Sequence, residues 1–199
     1  MLSVPEKNIL RALVGEYMSY ATLPVQQEKI ALWKALNRCE MIRPMVTIDQ
    51  LPWSELACEE LACQISEPYW RGVEHKLRQQ IYKFKNFPVD MVLDPFIALP
   101  KAVTRTGYGM RVQEELLGPA SSSARSHRYL NQLLEIEDTA KITDDRISHD
   151  KAKTAQYQAE AEAMLGDLAP IKMVGVEFHL GVWDKISTYG RGRVLFRVL

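Results

Sequence analysis

The sequence lacks an excess of charge of either sign. Its 199 residues include 25 Lys and Arg against 25 Asp and Glu, so the formal net charge at pH 7 is zero. Nucleic acids and anionic membranes attract basic surfaces electrostatically. The charge balance therefore gives no reason to expect a nucleic acid or a membrane surface as a partner.

Long apolar runs are missing as well. A helix needs about 18 to 20 mainly apolar residues to span a bilayer, and no segment of this sequence approaches that length. Charged residues Glu6, Lys7 and Arg11 stand where a secretory signal would have its apolar region. We therefore expect a cytoplasmic protein that is not integral to a membrane.

Cysteine is scarce and unevenly spaced. The three cysteines are Cys39, Cys58 and Cys63, an odd number. A zinc knuckle needs two cysteine pairs, each with a gap of about two residues, whereas Cys58 and Cys63 lie further apart and have no second pair. We therefore predict reduced cysteines and no metal site within this chain.

What the chain does contain is an alternation of helical and strand-like segments. Apolar residues recur at helical spacing over residues 4–20, and residues 22–24 open a second helix. The other predicted helices cover residues 54–64, 67–85, 129–136 and 150–168, and the predicted strands cover residues 44–49, 91–93 and 170–177. This order favours an α/β fold with a parallel sheet flanked by helices.

Two aspartates follow predicted strands, where α/β enzymes place their chemistry. Asp94 comes after the apolar run 91–93 and precedes a proline that stops the strand. Asp49 is the last residue of the predicted strand 44–49, and Trp53 follows it closely in sequence. Asp49 is suited to act as a general base or to orient a ligand. Structural alternatives stay open, because aspartate also caps helices, as at Asp49, and forms turns, as at Asp94.

Three further polar residues are candidates for the same site. Glu177 and His179 alternate on one face if the strand continues, so they present a carboxylate beside an imidazole for acid/base or metal chemistry. The alternative is a hydrogen-bonded structural couple. Tyr108 lies between two glycines, and its ring either lines a pocket or packs against the strand.

Three segments together resemble the amino-terminal half of the uroporphyrinogen decarboxylase superfamily, whose members are (β/α)8 barrels. Residues 43–53, RPMVTIDQLPW, resemble the first barrel strand. Residues 89–119 resemble the next long segment, in which an apolar strand with an acidic tip leads through a proline and a glycine to Gly-Pro, and residues 170–183 resemble the strand that follows. The resemblance implies a partial (β/α)8 barrel in residues 41–199 behind an amino-terminal helical extension in residues 1–40.

The sequence departs from the tetrapyrrole decarboxylases of this superfamily at one informative place. Those enzymes have an arginine-bearing stretch that grips substrate carboxylates, whereas residues 49–53 are DQLPW. The Asp49 carboxylate would repel a substrate carboxylate, because two like charges about 4 Å apart cost on the order of 4 kcal/mol at an effective dielectric constant near 20. The chain is therefore more similar to the methyltransferase-like members, which pass a methyl group from a small methylated donor to a corrinoid protein.

The resemblance implies roles and partners for this chain. Asp49, Asp94 and His179 are the predicted catalytic residues, and Trp53, Tyr108 and Glu177 are the predicted substrate contacts. A corrinoid protein is the implied methyl acceptor. The sequence has no His-x-Cys motif of the kind that binds zinc in this family, so no cofactor is predicted within the chain, and zinc is expected only in a completed barrel.

The chain is shorter than the fold it resembles. A closed barrel typically needs about 250 residues, so we expect a truncated chain that is inactive by itself and self-associates through open strand edges. Two alternatives stay open. One is a decarboxylase of a small carboxylated substrate, in which Arg43, Arg105 or Arg111 supplies the missing clamp. The other is a non-catalytic barrel fragment.

Overall fold

The computed structural model describes residues 2–56, 58–118, 125–176, 181 and 187–189. The chain forms two compact units. The first unit comprises Met1–Pro100 and Ala152–Val174, and the second comprises Lys101–Lys151 and Gly175–Leu199. No helix among the described residues is long and apolar enough to cross a membrane.

The two predicted amino-terminal helices are confirmed. Helix α1 spans Val4–Ala21 and begins with a capping box, in which the Ser3 hydroxyl accepts from the Glu6 amide and the Glu6 carboxylate accepts from the Ser3 amide. Helix α2 spans Pro24–Asn37 and has its proline in the first turn, where a missing N–H costs no helical hydrogen bond.

Two further predicted helices are also confirmed. Helix α3 spans Pro68–Asn86, and the Glu67 carboxylate caps it by accepting from the Trp70 amide at 2.9 Å. Helix α4 spans Lys151–Leu165. The buried positions of α3 recur every three or four residues, which is the spacing of a helix with one face in a core.

The strands pair two by two. They are β1 (Ile97–Pro100), β2 (Val103–Arg105), β3 (Glu114–Leu117), β4 (Ser126–Tyr129), β5 (Ile147–His149) and β6 (Ile171–Val174). In the described part of the chain, β1 pairs with β6 in parallel, while β2 with β5 and β3 with β4 are antiparallel. The chain is therefore an α/β protein with one parallel strand pair in its first unit.

Two predicted strands are wrong, because side chains bind their backbone groups. Residues 44–49 form no strand: the Lys83 ammonium donates to the carbonyls of Ile48 and Asp49 at 2.8 and 2.7 Å. Residues 91–93 form no strand either, since the Leu93 amide donates to the Gln26 side chain at 3.1 Å. The strand begins after the Asp-Pro pair instead, at the start of β1.

Two predicted helices are also wrong. Among the described residues of 54–64, only Glu59–Leu61 is helical, as a single 3₁₀ turn. Arg78 donates to the Glu60 carbonyl at 3.0 Å, and the Gln64 amide donates to the Glu74 carboxylate at 3.0 Å, so α3 supplies the partners that a local helix would need. The segment 129–136 leaves β4 and enters a 3₁₀ helix at Ile136–Lys141.

The core of the first unit joins helices to the parallel strands. Leu10 and Val14 of α1, Leu99 of β1 and Leu165 of α4 are fully shielded from solvent. The buried face of α3 packs into the same cluster, and Met173 of β6 packs against its margin. The parallel pair is thus fixed against three helices.

Candidate functional site

The carboxyl ends of β1 and β6 are the candidate functional site of the first unit. These strands are parallel neighbours whose register ends with Pro100 opposite Val174, and α4 leads directly into β6. Parallel strands linked through a helix bind their ligands at the carboxyl ends. We call Pro100, Val174 and the neighbouring aromatic residues Tyr69, Trp70 and Tyr157 the strand-end site.

Helix α3 begins at this site. The Tyr69 hydroxyl donates to the Pro100 carbonyl at 3.1 Å, and Tyr69 is the second residue of α3. Lys83 follows fourteen positions later, about 21 Å further along the helix axis. The amino terminus of α3 therefore lies at the strand-end site, and its carboxyl terminus lies well away from that site.

Three rings form an aromatic cluster beside Pro100, made of Tyr69, Trp70 and Tyr157. Tyr69 and Tyr157 stack with ring centroids 3.6 Å apart and planes 8° apart, and Trp70 meets both rings edge-on at 5.1 and 6.5 Å. Burial, with a smaller contribution from Tyr157, raises the pKa of Tyr69 above its ordinary value of 10.0. The Tyr69 hydroxyl therefore keeps its proton and its bond to Pro100.

A buried carboxylate holds the chain that leads into this cluster. Glu74 is fully buried and accepts from the amides of Gln64 and Ile65 at 3.0 and 2.9 Å and from Arg78 at 2.9 Å. These bonds satisfy the charge inside the protein. Glu74 thereby fixes the segment before α3 and, through it, the position of the aromatic cluster.

Asp49 and Trp53 lie together, but away from the strand-end site. The Lys83 ammonium donates to the Asp49 carbonyl and lies 5.8 Å from the Trp53 ring centroid. Since Lys83 belongs to the last turn of α3, both predicted residues lie away from the strand-end site. Their predicted roles depended on a carboxyl-end position.

Asp94 lies just before β1, because the strand that was predicted to precede it is absent. Its backbone carbonyl accepts from the Tyr17 hydroxyl at 3.1 Å. This contact is made by the backbone of Asp94 and not by its carboxylate, so the predicted catalytic role of the carboxylate stays a prediction.

The structure does not place the other predicted site residues at the strand-end site. Tyr108 belongs to the second unit, where its carbonyl accepts from the Thr143 amide at 3.0 Å. Glu177 and His179 lie outside the described residues, three and five positions after the end of β6. Their roles as substrate contacts or catalytic groups stay predictions.

Two of the three arginines predicted for a carboxylate clamp are already paired. Arg43 binds Asp90 through both terminal nitrogens at 2.8 and 2.6 Å. This ion pair and the Val46 amide hold the pKa of Asp90 far below its ordinary value. Arg105 is likewise paired with Asp145. A substrate carboxylate would have to displace an existing partner at either place.

Sequence reasoning missed the aromatic cluster. A usable signal was present, since Tyr69 and Trp70 follow a proline at the start of the helix that precedes a strand, and such a helix begins at the carboxyl side of a parallel sheet. Tyr157 gave no such signal in the polar sequence of α4. Its position depends on the pairing of β6 with β1 across seventy residues.

The described residues contain no group of three or more His, Cys, Asp or Glu side chains that could hold a metal ion. Comparisons with known proteins found no matching family model, no matching curated protein and no matching solved structure. Aromatic faces bind apolar groups and attract cations, so the strand-end site suits a small ligand that carries methyl or methylammonium groups.

Proposed function

We propose that this chain is the amino-terminal part of a uroporphyrinogen decarboxylase-superfamily barrel of the methyltransferase-like kind. In a completed barrel it would transfer a methyl group from a small methylated donor to a corrinoid protein. The main support for this proposal is the parallel pairing of β1 with β6. Helix α4 leads into β6, and helix α3 begins at the carboxyl end of β1. Such units are the repeating element of a (β/α)8 barrel.

The aromatic cluster supports the choice of donor. Methyl groups and methylated amines bind aromatic faces through apolar contact and cation–π attraction. Tyr69 is fixed by its bond to Pro100 and Trp70 is buried, so the cluster is rigid before a donor arrives. We assign the cluster to donor binding and leave the acceptor to a separate corrinoid protein.

The pairing of the arginines supports methyl transfer over decarboxylation. Arg43 and Arg105 are already bound to Asp90 and Asp145, so neither offers a free guanidinium to a substrate carboxylate. In this proposal any zinc ligands come from the rest of the barrel.

The proposal is tested by joining the chain to the sequence encoded downstream of it. The joined protein is mixed with cob(I)alamin and methylated amine or methoxylated aromatic donors, and methylcobalamin is followed by absorbance. We expect methylcobalamin to form. A downstream frame that encodes no further barrel strands, or a joined protein that forms no methylcobalamin, would contradict the proposal.

A matched pair of variants connects this activity to the described site. Tyr69→Phe removes the bond to Pro100, and we expect kcat/KM to fall roughly threefold to tenfold, the usual worth of one hydrogen bond. Tyr129→Phe is the control, because the Tyr129 side chain is 39% exposed and lies in the second unit. Equal activity of the two variants would show that the aromatic cluster has no role in the reaction.

A further inference from the structure

The first unit contains a groove with a volume of about 390 Å³. It lies between the amino-terminal half of α1 and the carboxyl-terminal half of α4, with Trp70 of α3 contributing to its wall. Ligand pockets in proteins occupy about 300 to 1,000 Å³, so this groove has the size of a site for a small molecule.

Part of the apolar lining of the groove comes from the core, and the rest comes from the exposed residues Val4 and Ala163. Leu2 and Met164 are each 9% exposed and Trp70 is 3% exposed, so these side chains present only a small, fixed surface to the groove. Trp70 is also held by its edge-on contacts with Tyr69 and Tyr157. A ligand that binds here meets a surface that is already formed, which lowers the entropic cost of binding.

One of the two cations of the groove is already neutralised. Arg11 binds both carboxylate oxygens of Asp167 at 2.7 and 2.6 Å and donates to the Met164 carbonyl at 2.6 Å. Such a bidentate pair satisfies a guanidinium. Arg11 therefore shapes the end of the groove and offers little attraction to an anion.

The remaining polar groups of the groove have opposite charges. The Lys7 ammonium and the Asn8 side-chain amide have no hydrogen-bond or ion-pair partner within the part of the chain that the structure describes, while the Glu160 carboxylate accepts from Gln156 at 2.9 Å. A carboxylate has room for several donors, so Glu160 can accept a further one. One cation, one amide donor and one carboxylate thus border the apolar surface.

We propose that this groove binds a small zwitterion with an apolar side chain, of the α-amino acid type. Its carboxylate would bind Lys7 and Asn8, its ammonium group would bind Glu160, and its apolar part would cover Trp70 and Met164. The Glu160 carboxylate would repel a simple anion, and the Lys7 ammonium would repel a simple amine. A ligand that carries both charges therefore complements the groove best. This proposal does not depend on methyl transfer.

Isothermal titration calorimetry of the full chain tests the ligand class. L-Phenylalanine is compared with 3-phenylpropionate, which lacks the ammonium group, and with 2-phenylethylamine, which lacks the carboxylate. We expect L-phenylalanine to bind at least roughly tenfold more tightly than either analogue, since each loses one charge-assisted contact. Equal affinities for the three compounds, or no binding of L-phenylalanine at millimolar concentration, would overturn the proposal.

Matched variants test the two ends of the ligand. Glu160→Gln should weaken L-phenylalanine binding roughly tenfold and leave 3-phenylpropionate no weaker. Glu162→Gln is the control, because Glu162 lies on the same helix and makes the same kind of bond, accepting from Gln158 at 2.8 Å. Equal losses in the two variants would contradict the assigned role of Glu160.

The carboxylate end has its own pair of variants. Lys7→Met should weaken L-phenylalanine binding roughly tenfold, whereas Lys76→Met, on the exposed side of α3, should leave it unchanged. Ala163→Phe adds a ring at an exposed position that lines the groove and should abolish binding without changing the circular dichroism spectrum. Full binding by Ala163→Phe would place the ligand elsewhere and overturn the proposal.

Discussion

The two compact units differ in what holds them together. Every described residue that is buried as a whole belongs to the first unit. The second unit has exposed ion pairs instead, such as Arg128 with Glu115. Burial of one large apolar side chain contributes about 1.5 to 3 kcal/mol, whereas an exposed ion pair contributes about 0 to 1 kcal/mol. The free energy of unfolding is therefore concentrated in the first unit.

None of the paired strands of the second unit has a buried residue among the residues that the structure describes. Several of its described apolar side chains are open to solvent, with Leu134 at 63% and Ile147 at 59% exposed. Antiparallel pairs without a covered face are marginally stable in water, and exposed apolar groups are typical of association surfaces. Local unfolding should begin in this unit, and self-association through it stays a prediction.

The largest expected effect comes from removing a buried charge partner. Glu74→Ala leaves Arg78, whose side chain is 11% exposed, without its carboxylate and frees the amides of Gln64 and Ile65. Breaking a buried pair in this way costs about 3 to 5 kcal/mol. Urea unfolding followed by circular dichroism measures the loss.

Glu115→Ala is the matched change in the second unit. The pair of Glu115 and Arg128 is about half exposed on both sides, so its loss should change the free energy of unfolding by less than about 1 kcal/mol. Similar losses from Glu74→Ala and Glu115→Ala would show that buried and exposed ion pairs stabilise the two units equally.

A slightly smaller effect is expected from shortening a core leucine. Leu99 of β1 is 0% exposed and Leu116 of β3 is 44% exposed. Leu99→Ala leaves a cavity and should cost about 2 to 5 kcal/mol, whereas Leu116→Ala should stay within about 0.5 kcal/mol of the parent protein. The same urea titrations decide this, and a Leu116→Ala loss above 2 kcal/mol would show that β3 is covered in solution.

The sequence was sufficient to predict the helices whose own residues specify them. The capping box at Ser3 and Glu6 and the apolar stripe of α3 are local signals, and the helices appear where these signals place them. The segments 44–49 and 91–93 failed because Lys83 and Gln26, distant in sequence, bind their backbone groups. Periodicity carries no information on such partners.

The candidate site could be predicted only in outline. The expectation that chemistry lies at the carboxyl ends of parallel strands stays a prediction, and the strand expected before Asp94 was misplaced by a few residues, so Asp94 precedes β1 and does not follow a strand. The aromatic cluster needs Tyr69 and Tyr157 to meet, and they are brought together by the pairing of β1 with β6. Long-range pairing of this kind is not contained in a local pattern.

The smallest expected effect is a change in acid sensitivity. Hydrogen bonds from the Ser66 amide and hydroxyl, followed by those from Ser3, lower the pKa of Glu6 from its ordinary value of 4.5 to about 2. A carboxyl group whose pKa is lower in the folded than in the unfolded protein stabilises the fold at any pH above its unfolded-state pKa. That stabilisation is lost as the pH falls through this range to the folded-state pKa. Wild-type stability should therefore fall between about pH 4.5 and pH 2, and Glu6→Gln should fall less steeply over that window.

Asp138→Asn separates the two units in the same experiment. The Lys141 ammonium, followed by the Glu135 and Leu134 amides, lowers the pKa of Asp138 from 3.8 to about 2, so its titration window nearly matches that of Glu6. If the second unit opens before the first, Asp138→Asn leaves the pH dependence of the main helical transition unchanged, because Asp138 is already in its unfolded environment there. Urea midpoints by circular dichroism at half-unit pH steps measure both variants. An equal flattening by Asp138→Asn would show that the two units unfold as one.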